Sequence, residues 1–425
     1  MLIHRVSAGE TIYSIAEYYG VSPESITANN QLQNPDSLVV GQTLVILYPK
    51  SVYTVQAGDT LESISRKTGV PVITLRRNNP IVNSGLYIYE GQTIVLDYQQ
   101  EKIGNLNVNG YAYTYISDSL LAQCLPYLTF LSIFSYGITS DGNLVYSNDE
   151  HLLKYAKEYN VKPILVITSL TEDGKFSSER VSDLLSNYDA QQNLINNLVN
   201  LLKEKGYYGA DIDFEFIPSE YAQTYAAFIG RLAAALNAEG MVLFTALAPK
   251  ISSDQKGLLY EGHNYELIGA ASNYVLVMTY EWGYTYGPPM AVAPINNVKQ
   301  VLDYAVSVIP PEKIFMGIPN YGYDWPLPFV AGETMATSIS NVDAVEIANT
   351  FKAVIEYDYT AAAPHFNYYN GYNHEVWFED AKSIETKLLT AKSYNLAGVG
   401  YWNLMRYFPQ NWLVLNALFN INSIN

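Results

Sequence analysis

Three carboxylates stand at alternate positions in one short stretch of the sequence, Gly209-Ala210-Asp211-Ile212-Asp213-Phe214-Glu215. Side chains of a strand alternate between its two faces, so Asp211, Asp213 and Glu215 share one face and the apolar residues between them share the other. A buried row of carboxylates can keep one carboxyl group protonated, and that group can then donate its proton to a leaving group. The last acid of the row, Glu215, is therefore the candidate general acid.

Burying these acids side by side costs free energy, because desolvation and mutual repulsion both disfavour their ionised forms. The repulsion predicts protons shared along the row and a raised pKa for Glu215, which suits a general acid near neutral pH. Two other interpretations stay open: an exposed edge strand with solvated acids, and a divalent metal site. Metal binding would need several further oxygen ligands, and no partner cluster is evident in the sequence.

The histidines give no support for a metal site either, because all five are scattered along the chain. They are His4, His151, His263, His365 and His374. We interpret each as a surface or core residue and predict neither a metal nor a cofactor.

The elements that hold the row follow from the pattern after about residue 103, where short β-rich runs alternate with helical stretches. The eight β-rich runs are Asn109–Tyr115, Leu128–Tyr136, Ile164–Ser169, Gly209–Glu215, Leu243–Ala248, Tyr274–Tyr280, Ile314–Tyr321 and Gly398–Leu404. Amphipathic segments such as Ala190–Lys205 and Ala222–Asn237 lie between them. This alternation predicts an α/β fold, a closed (β/α)8 TIM barrel over 103–425, with its chemistry at the C-terminal ends of the strands.

One connection of the predicted barrel is too long to be simple. Gly322–Glu379 ends in the strand-like Glu375-Val376-Trp377-Phe378. We predict a small α+β insertion at 323–379, after the seventh strand. Such an insertion would form one wall of a cleft above the barrel.

An internal repeat occupies the first 98 residues. His4-Arg5-Val6-Ser7-Ala8-Gly9-Glu10-Thr11-Ile12 returns 49 residues later as Tyr53-Thr54-Val55-Gln56-Ala57-Gly58-Asp59-Thr60-Leu61. Each copy closes on a Gly-Gln-Thr turn, at Gly41 and at Gly91. The hydrophobic pattern within a copy predicts the order strand, helix, helix, strand. We place the two modules at 1–49 and 50–98.

Composition narrows the possible classes of protein. The formal net charge of −17 repels phosphate backbones, which argues against a nucleic-acid partner. No apolar run reaches the roughly 20 residues that a membrane-spanning helix needs. Cys124 is the only cysteine, so disulfides within the chain and cysteine-based zinc sites are excluded. The N-terminus lacks the charged and apolar segments of a secretory signal, so ordinary export is not expected.

The repeat resembles the LysM module, from its V-x-x-G-[DE]-T start, its Asn-Asn pair and its G-Q-x-[LI] end. Members of that family bind glycans containing N-acetylglucosamine, such as peptidoglycan and chitin. The resemblance implies a glycan groove between the loop after the first strand and the loop before the last one. The implied binding residues are Gly9, Glu10, Thr11, Gly58, Asp59 and Thr60. Modules that act only as spacers or docking units are the alternative.

The segment Tyr208–Glu215 resembles the D-G-x-D-x-D-x-E signature of glycoside hydrolase family 18, the chitinase-like family, with Tyr208 in place of the leading aspartate. The resemblance implies that Glu215 protonates the glycosidic oxygen. It further implies that Asp213 holds the substrate's acetamido group and that Asp211 tunes Asp213. Catalysis in this family retains the anomeric configuration without a protein nucleophile, because the acetamido oxygen of the substrate attacks.

Other family landmarks fall on the later strands. Met278-Thr279-Tyr280-Glu281 resembles the M-x-Y-D motif, with Glu281 in place of the usual aspartate. Gly398-Val399-Gly400-Tyr401-Trp402 resembles the end of strand eight, and the segment through Tyr321 resembles strand seven. Tyr280 is implied to hold the acetamido carbonyl, and Trp402 to stack under the sugar ring. Glu281, Met278 and Tyr321 are further implied substrate contacts.

Two LysM-like modules before a family 18 domain resemble the spore cortex-fragment lytic enzymes of Bacillus-type spore formers. This implies an N-acetylglucosaminidase that cleaves cortex peptidoglycan on the reducing side of N-acetylglucosamine. It also implies synthesis in the mother cell without a signal peptide and a place at the coat or cortex surface of the spore. A chitinase and a non-catalytic glycan-binding or spore coat protein are the alternatives.

Overall fold

The computed structural model describes residues 1–84, 87–171 and 175–424. Both N-terminal modules have the predicted order strand, helix, helix, strand. The first contains strand Leu2–Arg5, helices Ile12–Tyr19 and Pro23–Asn30, and strand Thr43–Ile46. The second contains strand Pro49–Thr54, helices Leu61–Thr68 and Val72–Asn78, a 3-10 turn at Pro80–Ser84, and strand Thr93–Tyr98. The two strands of each module pair antiparallel.

The second asparagine of each Asn-Asn pair ties the helices to the closing strand. The Asn30 carboxamide oxygen accepts the Val45 N–H at 2.8 Å, and Asn79 accepts the Val95 N–H at 2.8 Å. Each amide group also donates to a carbonyl of the same strand. These matched bonds explain why the repeat carries asparagine at this position, since a small two-stranded sheet has few other contacts to hold it.

Eight parallel strands close the predicted barrel. They are Gly104–Tyr113, Phe130–Ile138, Lys162–Thr168, Gly209–Asp213, Val242–Leu247, Tyr274–Val277, Ile314–Pro319 and Gly398–Trp402. Strand eight pairs with strand one, so the barrel is closed. A short strand, Phe419–Ile421, lies parallel to the start of strand one, and Leu144–Val145 pairs with the end of strand two.

Seven of the eight barrel strands end one to three residues earlier than the sequence pattern predicts, and three of these early ends concern the site. Strand four stops at Asp213 rather than at Glu215, strand six at Val277 rather than at Tyr280, and strand seven at Pro319 rather than at Tyr321. The prediction was wrong there because apolar alternation continues past the last ladder hydrogen bond. Glu215, Tyr280 and Tyr321 therefore lie on the loops at the mouth of the barrel.

Helices surround the barrel. They are Asp118–Cys124, Glu150–Glu158, Ser178–Ser186, Tyr188–Lys205, Ala222–Ala238, Leu258–Glu261, Tyr265–Ala271, Ile295–Val308, Ala381–Ser393 and Pro409–Leu418, with 3-10 turns at Leu125–Tyr127, Ser219–Tyr221 and Pro311–Lys313. An outer apolar layer packs between these helices and the strands. A separate cluster of large side chains fills the barrel interior: Tyr111, Phe130, Phe134, Ile164, Val166, Phe244, Leu276 and Phe315. The barrel is thus a packed core rather than a pore.

A five-stranded antiparallel sheet and one helix follow strand seven. The strands are Gly322–Pro326, Thr337–Ile339, Glu356–Asp358, Ala363–Tyr369 and Asn373–Trp377, and the helix is Asn341–Phe351. The sheet begins directly at the mouth of the barrel, because Gly322 is only three residues beyond the end of strand seven.

The first module is docked on this inserted sheet. Arg5 donates from Nη2 to the Ile355 carbonyl at 2.6 Å, and the Ile355 N–H donates to the Val40 carbonyl at 2.9 Å. Val39 is buried in the apolar cluster of the insertion. This contact is not predictable from the sequence, since the two partners are more than 300 residues apart.

None of the helices in the described residues is both long and apolar enough to span a bilayer.

Candidate active site

The carboxylate row lies inside the barrel as predicted, with Asp211 fully buried and Asp213 only 7% exposed. The intervening apolar residues point outwards, where the Phe214 ring packs parallel to Phe228 of helix Ala222–Ala238 at 6.4 Å. Glu215 follows the strand and reaches the mouth. No side-chain hydrogen bond of Glu215 or Asp213 occurs within the described part of the chain, so both carboxyl groups have bonding capacity left for a ligand.

Tyr111 of strand one supports the base of the row. Its hydroxyl donates to Oδ2 of Asp211 at 2.5 Å, while Oδ1 of Asp211 is buried without a partner. Burial raises the pKa of Asp211 to about 6, and the Tyr111 hydrogen bond opposes that rise. Asp211 thus stays a stronger acid than a fully buried carboxyl group without this bond.

The two upper acids hold their protons strongly. Burial raises the pKa of Glu215 to about 7, and the negative charge of Glu281 adds to the rise. Burial first, and then the charges of Glu215 and Asp211, raise the pKa of Asp213 well above its usual range. The predicted repulsion along the row is therefore present at Asp213, whereas the charged neighbour that acts on Glu215 is Glu281.

Tyr280 lies directly above strand six, and a glycine of strand seven makes room for its ring. A Cβ atom at Gly317 would stand 2.6 Å from Cε1 of Tyr280 and 2.9 Å from the Val277 carbonyl oxygen. Neighbouring Met278 is partly buried and packs against both the inner and the outer apolar clusters. Burial and the surrounding carboxylates raise the pKa of the Tyr280 hydroxyl well above 10, so it is a proton donor at all ordinary pH values.

Glu281 is held by two tyrosines of the strand-seven region. Tyr321 donates a short hydrogen bond to Oε1 of Glu281, and the Tyr323 hydroxyl lies 3.2 Å and 3.3 Å from the two carboxylate oxygens. The backbone of Glu281 has a positive φ of 68°, an uncommon conformation for a residue other than glycine. The longer side chain that replaces the expected aspartate thus points to Tyr321, just before the inserted sheet, and to Tyr323 in the first strand of that sheet.

Trp402 ends strand eight and is partly exposed at the mouth of the barrel. Its ring contacts Phe134 at 4.9 Å, Tyr111 at 5.7 Å and Tyr113 at 5.9 Å between centroids. The aromatic neighbours fix the indole while leaving part of its surface free. A partly exposed ring that is held in place by others is suited to stacking against a sugar.

Tyr208, where the family signature has an aspartate, lies at the opposite end of strand four. Its ring packs against Phe130 at 6.0 Å in the lowest layer of the barrel. The departure from the signature is therefore remote from Glu215.

In the first module, the residues of the predicted glycan loop stabilise their own fold. Gly9 has a φ of +85°, and Glu10 accepts hydrogen bonds from the Ser7 N–H at 2.6 Å and from His4 at 3.0 Å. Thr11 begins the first helix with a reciprocal cap to Ser14.

The second module repeats this arrangement. Gly58 has a φ of +77°, and Thr60 caps the first helix through Ser63. Asp59 accepts from Lys67 at 2.6 Å and from Tyr53 at 2.7 Å. The repeated motif is accounted for by turn and cap geometry, and its role in glycan binding remains a prediction.

Sequence reasoning missed two tyrosines of the site. Tyr111 and Tyr323 contact catalytic-site acids from strands that are 100 and 42 residues away along the chain. The sequence offers one weak signal for them: Tyr111 falls within the first predicted strand, and Tyr323 follows directly after the seventh. No three His, Cys, Asp or Glu side chains within 1–84, 87–171 and 175–424 are arranged to hold a metal ion.

Comparison with known families agrees with this geometry. The profile of the glycosyl hydrolases family 18 matches residues 99–406, and that of the LysM domain matches 4–47 and 53–97. The chain therefore belongs to glycosyl hydrolase family 18 and carries two LysM domains.

Two relatives align with this chain over nearly its whole length. The chain is 40% identical to a cortical fragment-lytic enzyme of Bacillus anthracis over 422 residues, which cover 98% of each protein. It is also 40% identical to the cortical fragment-lytic enzyme of Bacillus subtilis, over 99% of both chains.

Solved structures give the same result. The spore cortex-lytic enzyme SleL of Bacillus megaterium superposes with a TM-score of 0.84 and 39% identity, over 100% of this chain and 99% of that one. A chitinase of Chromobacterium violaceum, at 24% identity and a TM-score of 0.68, shares the fold over 73% of this chain.

Proposed function

We propose that this protein is a retaining N-acetylglucosaminidase that cleaves peptidoglycan of the spore cortex on the reducing side of N-acetylglucosamine. The observation that carries the proposal is Glu215, a partly buried carboxyl group at the barrel mouth whose pKa is raised to about 7 and whose oxygens have no side-chain partner in the described residues. The cortical fragment-lytic enzyme of Bacillus anthracis and the spore cortex-lytic enzyme SleL, which align with nearly the whole of this chain, support the choice of cortex glycan.

The first chemical step needs one proton and one nucleophile. Glu215 donates its proton to the glycosidic oxygen as the bond from that oxygen to the anomeric carbon breaks. The acetamido carbonyl oxygen of the same N-acetylglucosamine attacks the anomeric carbon and forms an oxazolinium ion. Asp213, next in the row, accepts the acetamido N–H, and the negative charge that Asp213 and Asp211 share as a proton moves along the row balances the positive charge of that ion. No protein nucleophile is required.

The second step reverses the roles. Glu215, now ionised, takes a proton from water, and the resulting hydroxide adds to the anomeric carbon as the acetamido oxygen leaves. Two displacements at one carbon retain its configuration. The Tyr280 hydroxyl holds the acetamido carbonyl in line for the first attack, and Trp402 supports the ring from below. Met278, Tyr321 and Glu281 shape the same subsite.

The two LysM domains keep the catalytic domain on its substrate. Each domain offers a small binding surface for glycans that contain N-acetylglucosamine. Two linked weak sites raise the overall affinity for the polymer even though neither site binds tightly by itself. Their predicted contacts are the loops that contain Gly9, Glu10 and Thr11 in one domain and Gly58, Asp59 and Thr60 in the other. We place the protein at the coat or cortex surface of the spore, where its partner is the cortex glycan or fragments of it.

The test is product identification. Purified protein is incubated separately with cortex fragments and with chitin oligomers, and the reducing ends are identified by mass spectrometry. We expect fragments that end in N-acetylglucosamine from the cortex. Products that end in muramic acid would overturn the proposal, and hydrolysis of chitin alone would favour a chitinase.

The matched variant is Glu215→Gln, which preserves the shape of the side chain and removes its proton. Loss of a general acid typically lowers the rate by about 10²–10⁴-fold. We expect such a loss with an unchanged unfolding temperature. Binding of cortex glycan by both proteins, with no turnover by either, would instead favour a glycan-binding coat protein.

A further inference from the structure

A buried histidine outside the carboxylate row joins the ends of strands four and five. His263 is 1% exposed and lies on the loop that follows strand five. Its Nδ1 atom is 2.8 Å from the Ala248 backbone nitrogen, and its Nε2 atom is 2.9 Å from the Phe214 carbonyl oxygen. Phe214 is the residue between Asp213 and Glu215.

The two partners determine the tautomer of the ring. The Ala248 nitrogen can only donate, so Nδ1 must accept, and the Phe214 oxygen can only accept, so Nε2 must carry the proton. A second proton on Nδ1 would face the Ala248 N–H. His263 therefore acts as a neutral bridge between the two strand ends.

The surroundings hold this bridge firmly. The Lys250 ammonium donates to the His263 carbonyl at 3.1 Å, and the His263 ring lies nearly parallel to Tyr225 at 6.1 Å. A Cβ atom at neighbouring Gly262 would stand 2.3 Å from Cβ of Ile217, so this loop packs directly against the chain just after Glu215. Burial, together with the Lys250 charge, lowers the pKa of His263 to about 4, and the Phe214 hydrogen bond partly offsets this shift.

The backbone, rather than a side-chain hydrogen bond, positions Glu215. Its carboxyl group has no hydrogen-bond partner in the described residues, and strand four ends two residues before it. The following residue, Phe216, has a positive φ of 55°, so the chain turns sharply at once. The carbonyl that His263 binds belongs to the peptide that joins Phe214 to Glu215, so its orientation fixes the Cα of the general acid.

We propose that His263 is a positioning residue that sets the location of the Glu215 carboxyl group by holding the Phe214 carbonyl against the end of strand five. This inference rests on the proposed role of Glu215 as general acid. It predicts an effect on the chemical step with little effect on substrate binding, because a small displacement of a reacting group is costly in rate.

Two isosteric variants separate the two hydrogen bonds. His263→Gln can place its amide nitrogen near the Nε2 position and keep the bond to Phe214, while the Ala248 N–H loses its acceptor. His263→Asn can place its carbonyl oxygen near the Nδ1 position and keep the bond to Ala248, while the Phe214 carbonyl loses its donor. Both variants lose one buried hydrogen bond and are expected to be destabilised to a similar extent.

We expect His263→Asn to lower kcat about tenfold or more with KM changed less than about twofold, and His263→Gln to retain kcat within about threefold. Tyr265→Phe is the control, because among the described residues the Tyr265 hydroxyl bonds to the Ala248 carbonyl and the Lys250 N–H, which both lie in the strand-five loop. It should lose stability and keep kcat. Equal losses of kcat in the Asn and Gln variants, or full kcat in His263→Asn, would overturn the proposal.

A measurement on the unmodified protein tests the bridge without a substrate or a variant. Nitrogen-15 NMR of histidine-labelled protein should show the neutral tautomer of His263 with its proton on Nε2 at pH 7. A proton on Nδ1, or a doubly protonated ring at that pH, would contradict the bridge whether or not the chain cleaves cortex glycan.

Discussion

Tyr111 of strand one donates a hydrogen bond from its hydroxyl group to Oδ2 of Asp211 at 2.5 Å. Asp211 is the lowest acid of the row on strand four. Burial and this bond act on Asp211 in opposite directions: burial raises its pKa, and the bond lowers it. The balance leaves a carboxyl group that ionises near pH 6 in the folded protein. With a pKa near 6, Asp211 can exist in either its protonated or its ionised form close to neutral pH, which suits a site that needs both a proton donor and a negative charge.

The stability of the protein should decrease as pH rises through the range in which Asp211 ionises. The pKa of Asp211 in the folded protein, about 6, lies above the ordinary aspartate value of 3.8, so the folded state binds this proton more tightly than the unfolded state does. The resulting stabilisation is complete below about pH 4 and is lost by about pH 6. For this group alone it is roughly 3 kcal/mol. Urea unfolding at intervals between pH 4 and pH 7 measures the slope.

Asp211→Asn should flatten that slope, because asparagine does not titrate. Tyr111→Phe should steepen it, because the pKa of Asp211 then rises further. Asp36→Asn, an identical chemical change at an exposed position, serves as the control and should leave the slope unchanged. A slope that is the same in all four proteins would contradict the assignment.

Activity should fall as pH rises above 7, because the general acid must be protonated at the start of the reaction and the pKa of Glu215 is about 7. Glu281→Gln removes the negative charge that helps to raise this pKa. The alkaline limb of the kcat/KM profile should therefore move to lower pH. Tyr321→Phe, which leaves that charge in place and removes one of its hydrogen bonds, should move the limb much less. An alkaline limb of Glu281→Gln that stays in place would show that Glu281 does not act on Glu215.

The row of acids could be predicted from the sequence because the two-residue period of a strand places Asp211, Asp213 and Glu215 on one face regardless of the rest of the fold. The barrel followed from the repeated alternation of β-rich and helical stretches. Both features follow from local patterns and need no contact between distant parts of the chain to be predicted.

The remaining features do depend on such contacts. The partners of Asp211 and Glu281 come from other strands, and a tyrosine that supports an acid has no local signature that separates it from one that fills a core. The sequence predicts His263 to be a core or surface residue, and it is buried. Its two hydrogen-bond partners lie at the ends of two different strands, so the bridge between them has no local signature. The predicted strands extend too far at their C-terminal ends because the hydrophobic pattern does not indicate where the hydrogen bonds between strands stop.

Gly317→Ala should displace the Tyr280 ring, since the new Cβ would lie 2.6 Å from Cε1 and close to backbone that cannot move easily. Because the proposed role of Tyr280 is to orient the acetamido group, kcat/KM should fall by about tenfold to a hundredfold. Gly230→Ala is the matched control, because its nearest neighbour would be 3.9 Å away and the position is inside helix Ala222–Ala238. That variant should keep full activity and gain up to about 1 kcal/mol of stability. Comparable activity in the two variants would mean that the Tyr280 ring is not held as described.

The closing turns of the two LysM domains offer a direct test of how the first domain is attached. Gly41 and Gly91 occupy the same motif position with φ angles of +89° and +85°, so alanine strains both backbones alike, by about 1–3 kcal/mol. A Cβ at Gly41 would also stand 1.9 Å from the Ile355 carbonyl oxygen, whereas a Cβ at Gly91 would meet no atom of the described residues within 4 Å apart from its chain neighbours.

Gly41→Ala should therefore break the contact between the first domain and the inserted sheet, and Gly91→Ala should not. Limited proteolysis should then cut the Gly41→Ala protein earlier within residues 1–49, and its first unfolding transition should occur at a lower temperature than that of Gly91→Ala. Turnover of short soluble glycans should survive in both, because neither glycine lies near Glu215, while turnover of intact cortex should fall if a fixed first domain helps to orient the barrel on the polymer. Equal protease resistance in the two variants would mean that the strain at the turn, rather than the contact with Ile355, determines how firmly this domain is held.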